Sequence, residues 1–206
     1  MKKKHIILLV ILSVFVTLIT CIVFFATSLN VYIINEDVCT SIFQYKTPKE
    51  FCETRGKDTY LEDYIFATVD KDQNLVLILT DKQLKKWISS SPNLKALDIV
   101  TGGRTGLFED YEINMGDNVE KGLLYDFNEG TVKVSDDYKT VIITYGEMHE
   151  IFFSFFEITN GCIHMQLLNG TPSEDITLQL VVVKENGEIV TDSTWPSEDL
   201  VYNFSR

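Results

Sequence analysis

The sequence predicts an α+β fold rich in β structure: an antiparallel sheet or sandwich built from successive hairpins, with two or three short helices, behind one N-terminal transmembrane helix. Three observations predict it. An uncharged, mostly apolar run opens the chain; β-prone runs joined by turn-forming residues fill most of the remainder; and helix-start signals are few, each followed by only two or three turns of amphipathic pattern.

Residues Ile6 to Leu29 are 24 uncharged residues directly behind Lys2, Lys3 and Lys4. As a helix they span about 36 Å, enough to cross a hydrocarbon core of about 30 Å with some tilt. The apolar region of a cleaved signal peptide is shorter, about 7 to 15 residues. Basic residues flanking a first apolar helix stay cytoplasmic, and here three lysines precede it while Glu36 and Asp37 are the first charges after it. The expected organisation is therefore a cytoplasmic N-terminus over 1–5, a signal-anchor helix over 6–29 and an extracytoplasmic domain over 30–206. The competing reading is a secreted form cleaved near Ser28, because Ala26-Thr27-Ser28 supplies small residues for a peptidase. A lipid-attachment signal at Cys21 fits poorly: Thr20 stands where a small residue is wanted, and the apolar run continues to Phe25. Ser13, Thr17 and Cys21 recur every four residues and so share a helix face, a small face through which a partner's membrane helix can approach.

Beyond the anchor, Thr47-Pro48-Lys49-Glu50 reads as a capping box with proline at the first helical position, and Gly56 as the end of a two-turn helix carrying Cys52. Residues 64–69 and 75–80 are two β-prone runs joined by Asp70-Lys71-Asp72-Gln73-Asn74, a hairpin signature. Thr80 and Asp81 open a second helix, with Leu84, Trp87 and Ile88 on one face and Lys82, Lys85 and Lys86 turned to solvent. After Ser89-Ser90-Ser91-Pro92 a further short helix is expected over 93–99. The glycine-dense Thr101-Gly102-Gly103-Arg104-Thr105-Gly106 and the aperiodic acidic stretch to Glu120 read as a long loop, with an internal boundary near 101–120.

From Leu123 onward the chain reads as strands. Runs 131–134 and 140–145 flank Ser135-Asp136-Asp137-Tyr138-Lys139; runs 151–158 and 162–168 flank Asn160-Gly161; and runs 176–183 and 188–191 flank Asn186-Gly187. Asn-Gly favours the positive φ of tight hairpin turns. The run Ile151-Phe152-Phe153-Ser154-Phe155-Phe156 is apolar on both alternating faces, which predicts a central strand covered on both sides.

All 30 acidic residues and 15 of the 18 basic ones lie in 30–206, a formal charge of 15 minus 30, or −15. Such a field repels phosphate backbones, so nucleic acid is excluded as a partner. The expected partners are the membrane and an envelope protein; no cofactor motif is present, and no oligomeric state is implied. Cys39 and Cys52 are close enough in sequence to form a disulfide in an oxidising compartment, and a reduced buried pair fits equally well.

Asp70, Asp72 and Asn74 match the first three ligand positions of a calcium loop, with Asp81 at the twelfth, but Leu75 occupies the position where glycine makes the turn. Those side chains are weak metal candidates beside their reading as turn caps. Glu147 and His149 alternate onto one face beside Glu150 without a nucleophile to complete a catalytic set, and no hydrolase motif is present. Arg104 reads as a loop residue. Trp87 reads as the residue packing a helix on the sheet, and Trp195 as the end of the last strand; either can line a ligand surface.

These features point to a non-enzymatic binding or accessory module at the cell envelope. The alternatives are an envelope hydrolase whose carboxylates meet only in the fold, and a structural subunit recognised through the Ser13–Thr17–Cys21 face.

Overall fold

The computed structural model describes residues 16–17, 29–43, 46–54, 66–108, 131–145 and 152–200. Among them the fold is α+β, with one antiparallel sheet, one mixed sheet and several short helices.

The first sheet has the order β1-β3-β2, formed by β1 (Leu29–Ile34), β2 (Phe66–Val69) and β3 (Leu75–Thr80). The 66–80 hairpin is present as the sequence predicts. Leu75, Leu77 and Leu79 alternate onto the inner face and are fully buried. On the other face, Ile78 stands opposite both Val31 and Phe66, and Val76 opposite Ile33, leaving Val31, Ile33 and Phe66 about half exposed. Strand β1 begins at Leu29, the residue assigned above to the end of the membrane segment. The Val31-Tyr32-Ile33-Ile34 alternation carries the signal for this strand.

Helix α1 (Glu36–Ile42) follows at once, capped by Asn35, whose side chain accepts from the Val38 amide at 2.9 Å. Helix α2 (Pro48–Glu53) has the expected capping box between Thr47 and Glu50 and ends at Thr54, two residues before Gly56. Helix α3 (Asp81–Ser90) has a second box between Thr80 and Gln83. Helix α4 (Pro92–Val100) starts with Pro92 behind the Ser91 cap. Trp87 does what its spacing predicts: it is buried, edge-on to Tyr32 at 5.7 Å and stacked on Phe43 at 5.5 Å.

The second half departs from the expectation in one decisive place. Strands β4 (Thr131–Val134) and β5 (Thr140–Tyr145) form the anticipated hairpin, but residues 152–168 are a single helix, α5 (Phe152–Leu168), and not two strands around an Asn160-Gly161 turn. A run apolar on every side suits a buried helix as well as a buried strand, and 17 residues without proline exceed the usual strand length. Gly161 is helical here for a packing reason. A Cβ on it would lie 2.5 Å from the Asn93 carbonyl oxygen and 2.9 Å from Leu97 Cβ, so its bare backbone is what lets α4 and α5 touch.

Making 152–168 helical also corrects the topology. Helix α5 is a crossover, and β5 pairs parallel with β6 (Leu178–Lys184), giving a mixed sheet β4-β5-β6-β7 rather than a run of hairpins. Strand β7 (Ile189–Trp195) pairs antiparallel with β6 through a turn in which Gly187 has φ 86° and the Asn186 side chain accepts from the Glu188 amide. It ends at Trp195, the residue read from the sequence as the end of the last strand, four residues beyond the run 188–191 that flanks the turn.

Helix α5 is the hub of the core. It packs most extensively on α4 and also against α1 and β6, and residues 161–167 are all buried. Gln166 ties it to the strands by donating to the carbonyls of Tyr138 and Thr177, both at 2.9 Å. Residues on both sides of the 101–120 segment share this core. Arg104 adds a surface link, reaching Asp136 at 2.7 Å and the Val134 carbonyl at 2.6 Å.

Among the described residues, no helix is long and apolar enough to cross a membrane. Of the Ser13–Thr17–Cys21 face only Thr17 is described, as helical.

Candidate functional site

Three elements meet around a cleft of about 320 Å³. Asp37, Thr40 and Ser41 lie at i, i+3 and i+4 of α1 and so share one helical face. Phe156, Asn160 and Ile163 form the corresponding stripe on α5, at i, i+4 and i+7. The third wall is the chain leaving β7: Trp195, Pro196, Asp199 and Leu200. That turn is fixed from within, because the Glu198 amide donates to the Thr194 carbonyl at 2.9 Å and the Ser197 hydroxyl to the same oxygen at 2.8 Å.

The lining is chemically one-sided. Among the described residues it holds two carboxylates, Asp37 and Asp199, and no lysine, arginine or histidine. Two aromatic rings and two aliphatic side chains supply apolar wall. Asn160 is the unusual member: it is 4% exposed and its Nδ2 has no hydrogen-bond partner among the described residues. A buried amide left unpaired costs about 1 to 3 kcal/mol, and native proteins satisfy almost all such groups.

Away from the cleft, His164, Cys39 and Cys162 are held inert by burial. His164 is completely buried on α5, packed on the Trp87 ring at 4.5 Å, with Nδ1 3.5 Å from the Ser91 hydroxyl and Nε2 without a partner among the described residues. Burial pushes its pKa down to about 3, so the ring is neutral at physiological pH. Cys39 and Cys162 are buried and each is pushed up to about 12, both chiefly by burial. The proximity of Cys52 adds to the shift at Cys39. The Cys39 thiol donates to the Lys46 carbonyl at 3.2 Å, and Cys39 and Cys52 stand as free thiols in this structure.

The Asp70, Asp72 and Asn74 set forms a turn cap. The Asp70 carboxylate accepts from the amides of Asp72 at 2.8 Å and Asn74 at 2.9 Å, and the Asn74 amide in particular draws its pKa below the usual carboxylate range. No cluster of three or more metal-ligating side chains occurs among the described residues. Glu147, His149 and Glu150 lie outside the described residues. Sequence reasoning named Trp195 as a ligand-surface candidate but missed Asp37, Asn160 and Asp199. Asn160 shares helical spacing with Phe156 and Ile163, which the strand reading of 151–168 concealed, and Asp37 shares it with Thr40 and Ser41 on α1; Asp199, in the turn after β7, carries no periodic signal.

No family model, curated protein or solved structure matches the chain. The functional reading therefore rests on the cleft and on the sequence.

Proposed function

We propose that this chain is a non-enzymatic binding module held at the cell envelope by its N-terminal segment, with the α1–α5–β7 cleft as its binding site. The observation that carries the reading is the cleft itself: a small-molecule-sized concavity with apolar walls, a few polar groups and an unsatisfied buried amide. The state of the buried groups supports binding over catalysis. A histidine that stays neutral to about pH 3 cannot shuttle protons at neutral pH, and thiols at about 12 are not nucleophiles there. The 24-residue apolar run behind three lysines supports the anchor and an outward-facing domain.

Two measurements on the full chain test this. Protease protection of right-side-out and inverted vesicles should leave 30–206 accessible only from outside, and the intact mass should include Lys2 to Leu29. Accessibility from the cytoplasmic side would refute the orientation, and a mass beginning near Leu29 would replace the anchored form by a secreted one. The hydrolase reading keeps one observation in its favour, since Asp37 and Asp199 line the same cleft. Turnover of a glycan that disappears in Asp37→Asn or Asp199→Asn would replace binding by catalysis.

A further inference from the structure

We propose that the cleft takes a small organic cation: an ammonium group on an apolar body that also carries a hydrogen-bond-accepting oxygen. The proposal rests on the binding reading above and adds the ligand's chemistry. Charge decides the first part. Asp37 on α1 and Asp199 after β7 are the only ionisable groups in the lining among the described residues, they come from two different walls, and residues 30–206 carry a net −15. An anionic ligand would meet no countercharge among those residues. A cation meets two, in a concavity whose low-dielectric walls focus the field.

The aromatic side chains decide the second part. Trp195 is half-buried at the cleft wall beside Phe156, and a cation over an aromatic face is attracted by the ring quadrupole in addition to any carboxylate. Ile163 and Leu200 add apolar surface, so a hydrated inorganic ion, which has no apolar body, leaves most of the lining unused. Asn160 decides the third part. Its side chain is buried, borders the cleft and has an amide nitrogen without an acceptor, so a carbonyl or hydroxyl oxygen on the ligand supplies what the protein does not. A volume of about 320 Å³ sits at the small end of ligand clefts and suits a head group or one side chain.

The same chemistry has two sources, a free amine and the basic side chain of a protein. Choline and Nα-acetyl-lysine amide represent them, and Nα-acetyl-norleucine amide is the uncharged match for the second. Calorimetric titration of the detergent-solubilised full chain should show saturable binding of at least one cationic probe, weakened severalfold between about 0.05 and 0.5 M salt because both carboxylates are exposed. Choline binding with none of the lysine amide assigns a free amine; the reverse assigns a peptide side chain. The Asp37→Asn, Asp199→Asn double variant should lose at least about tenfold in affinity, the scale of one to two charge-assisted contacts. Asn160→Leu should weaken binding while the melting temperature holds or rises, a combination that a merely structural role for Asn160 does not produce. Equal affinity for the norleucine amide, or an unaltered affinity in the double variant, would overturn the cationic assignment while leaving a binding module. Absence of binding by all three probes, with a panel of neutral sugars also silent, would sink both the assignment and the binding reading.

Discussion

Acidification from pH 7.5 to pH 5 should destabilise this fold through His164. Its ring is fully buried, its Nε2 has no partner among the described residues, and burial lowers its pKa from 6.5 to about 3. Between those two values the unfolded chain binds a proton that the folded chain refuses. The stability associated with this group is therefore fully present above about pH 6.5 and is lost as pH falls. Each pH unit below 6.5 costs about 1.4 kcal/mol, so moving from pH 7.5 to pH 5 removes about 2 kcal/mol, a large fraction of a typical folding free energy. The assay is urea unfolding of the wild type and His164→Gln at both pH values, in identical detergent. The glutamine does not titrate, so the acid-induced loss should be about 2 kcal/mol smaller in the variant, whatever its stability at pH 7.5; His5 and His149 are common to both and cancel. Acid-induced losses agreeing within about 0.5 kcal/mol would show that His164 is solvated or charge-compensated, and would refute the burial argument.

Other predictions follow from the packing. Gly161→Ala sets a helix-propensity gain of about 1 kcal/mol against a Cβ placed 2.5 Å from a backbone oxygen. Because backbone cannot rotate away, the clash should win and the variant should lose about 2 kcal/mol in chemical unfolding. Thr80→Ala removes the acceptor for the Gln83 amide at the start of α3 and should cost about 1 kcal/mol, read as a lower denaturation midpoint at unchanged slope. Cys39 and Cys162, with pKa values near 12, should resist iodoacetamide at pH 8 in the native protein and react fully in denaturant, as site-resolved mass spectrometry would show. Rapid native labelling of either would contradict the burial described here.

Local signals were legible where they are chemically specific. Thr47-x-x-Glu50 names a cap, a donor and an acceptor within four residues, Thr80 marks the start of α3 although the Gln83 half of its box went unread, and Asp70 to Asn74 and Asn186-Gly187 define turns by the same short-range logic. The failure lies at Asn160-Gly161, where one dipeptide has two physical uses. Glycine serves positive φ in a turn and close approach in a helix pair, and only the position of Asn93 and Leu97, more than 60 residues earlier, decides between them. The cleft was lost with it, since a turn at Asn160-Gly161 sends Ile163 into a second strand and does not set Phe156, Asn160 and Ile163 in one stripe. Strand β1 was missed because its apolar residues continue the apolar run before it. Its partner β3 lies some 50 positions away, with Leu29 opposite Thr80.

The parallel pairing of β5 with β6 also governs how this chain reaches its fold. Thr140 pairs with Gln179, 39 residues further on, so the pair cannot form until the intervening segment has collapsed. Hairpins β2–β3, β4–β5 and β6–β7 need only short loops and can form early. Helix α5 has no such shortcut: it is mostly apolar and is covered only when α1, α4 and β6 arrive from both ends of the sequence. Until then the chain carries a sticky, unprotected rod at its centre. The interval before that rod is enclosed is the part of this protein's life at which aggregation competes most directly with folding, and at which a holding chaperone would have most to grip.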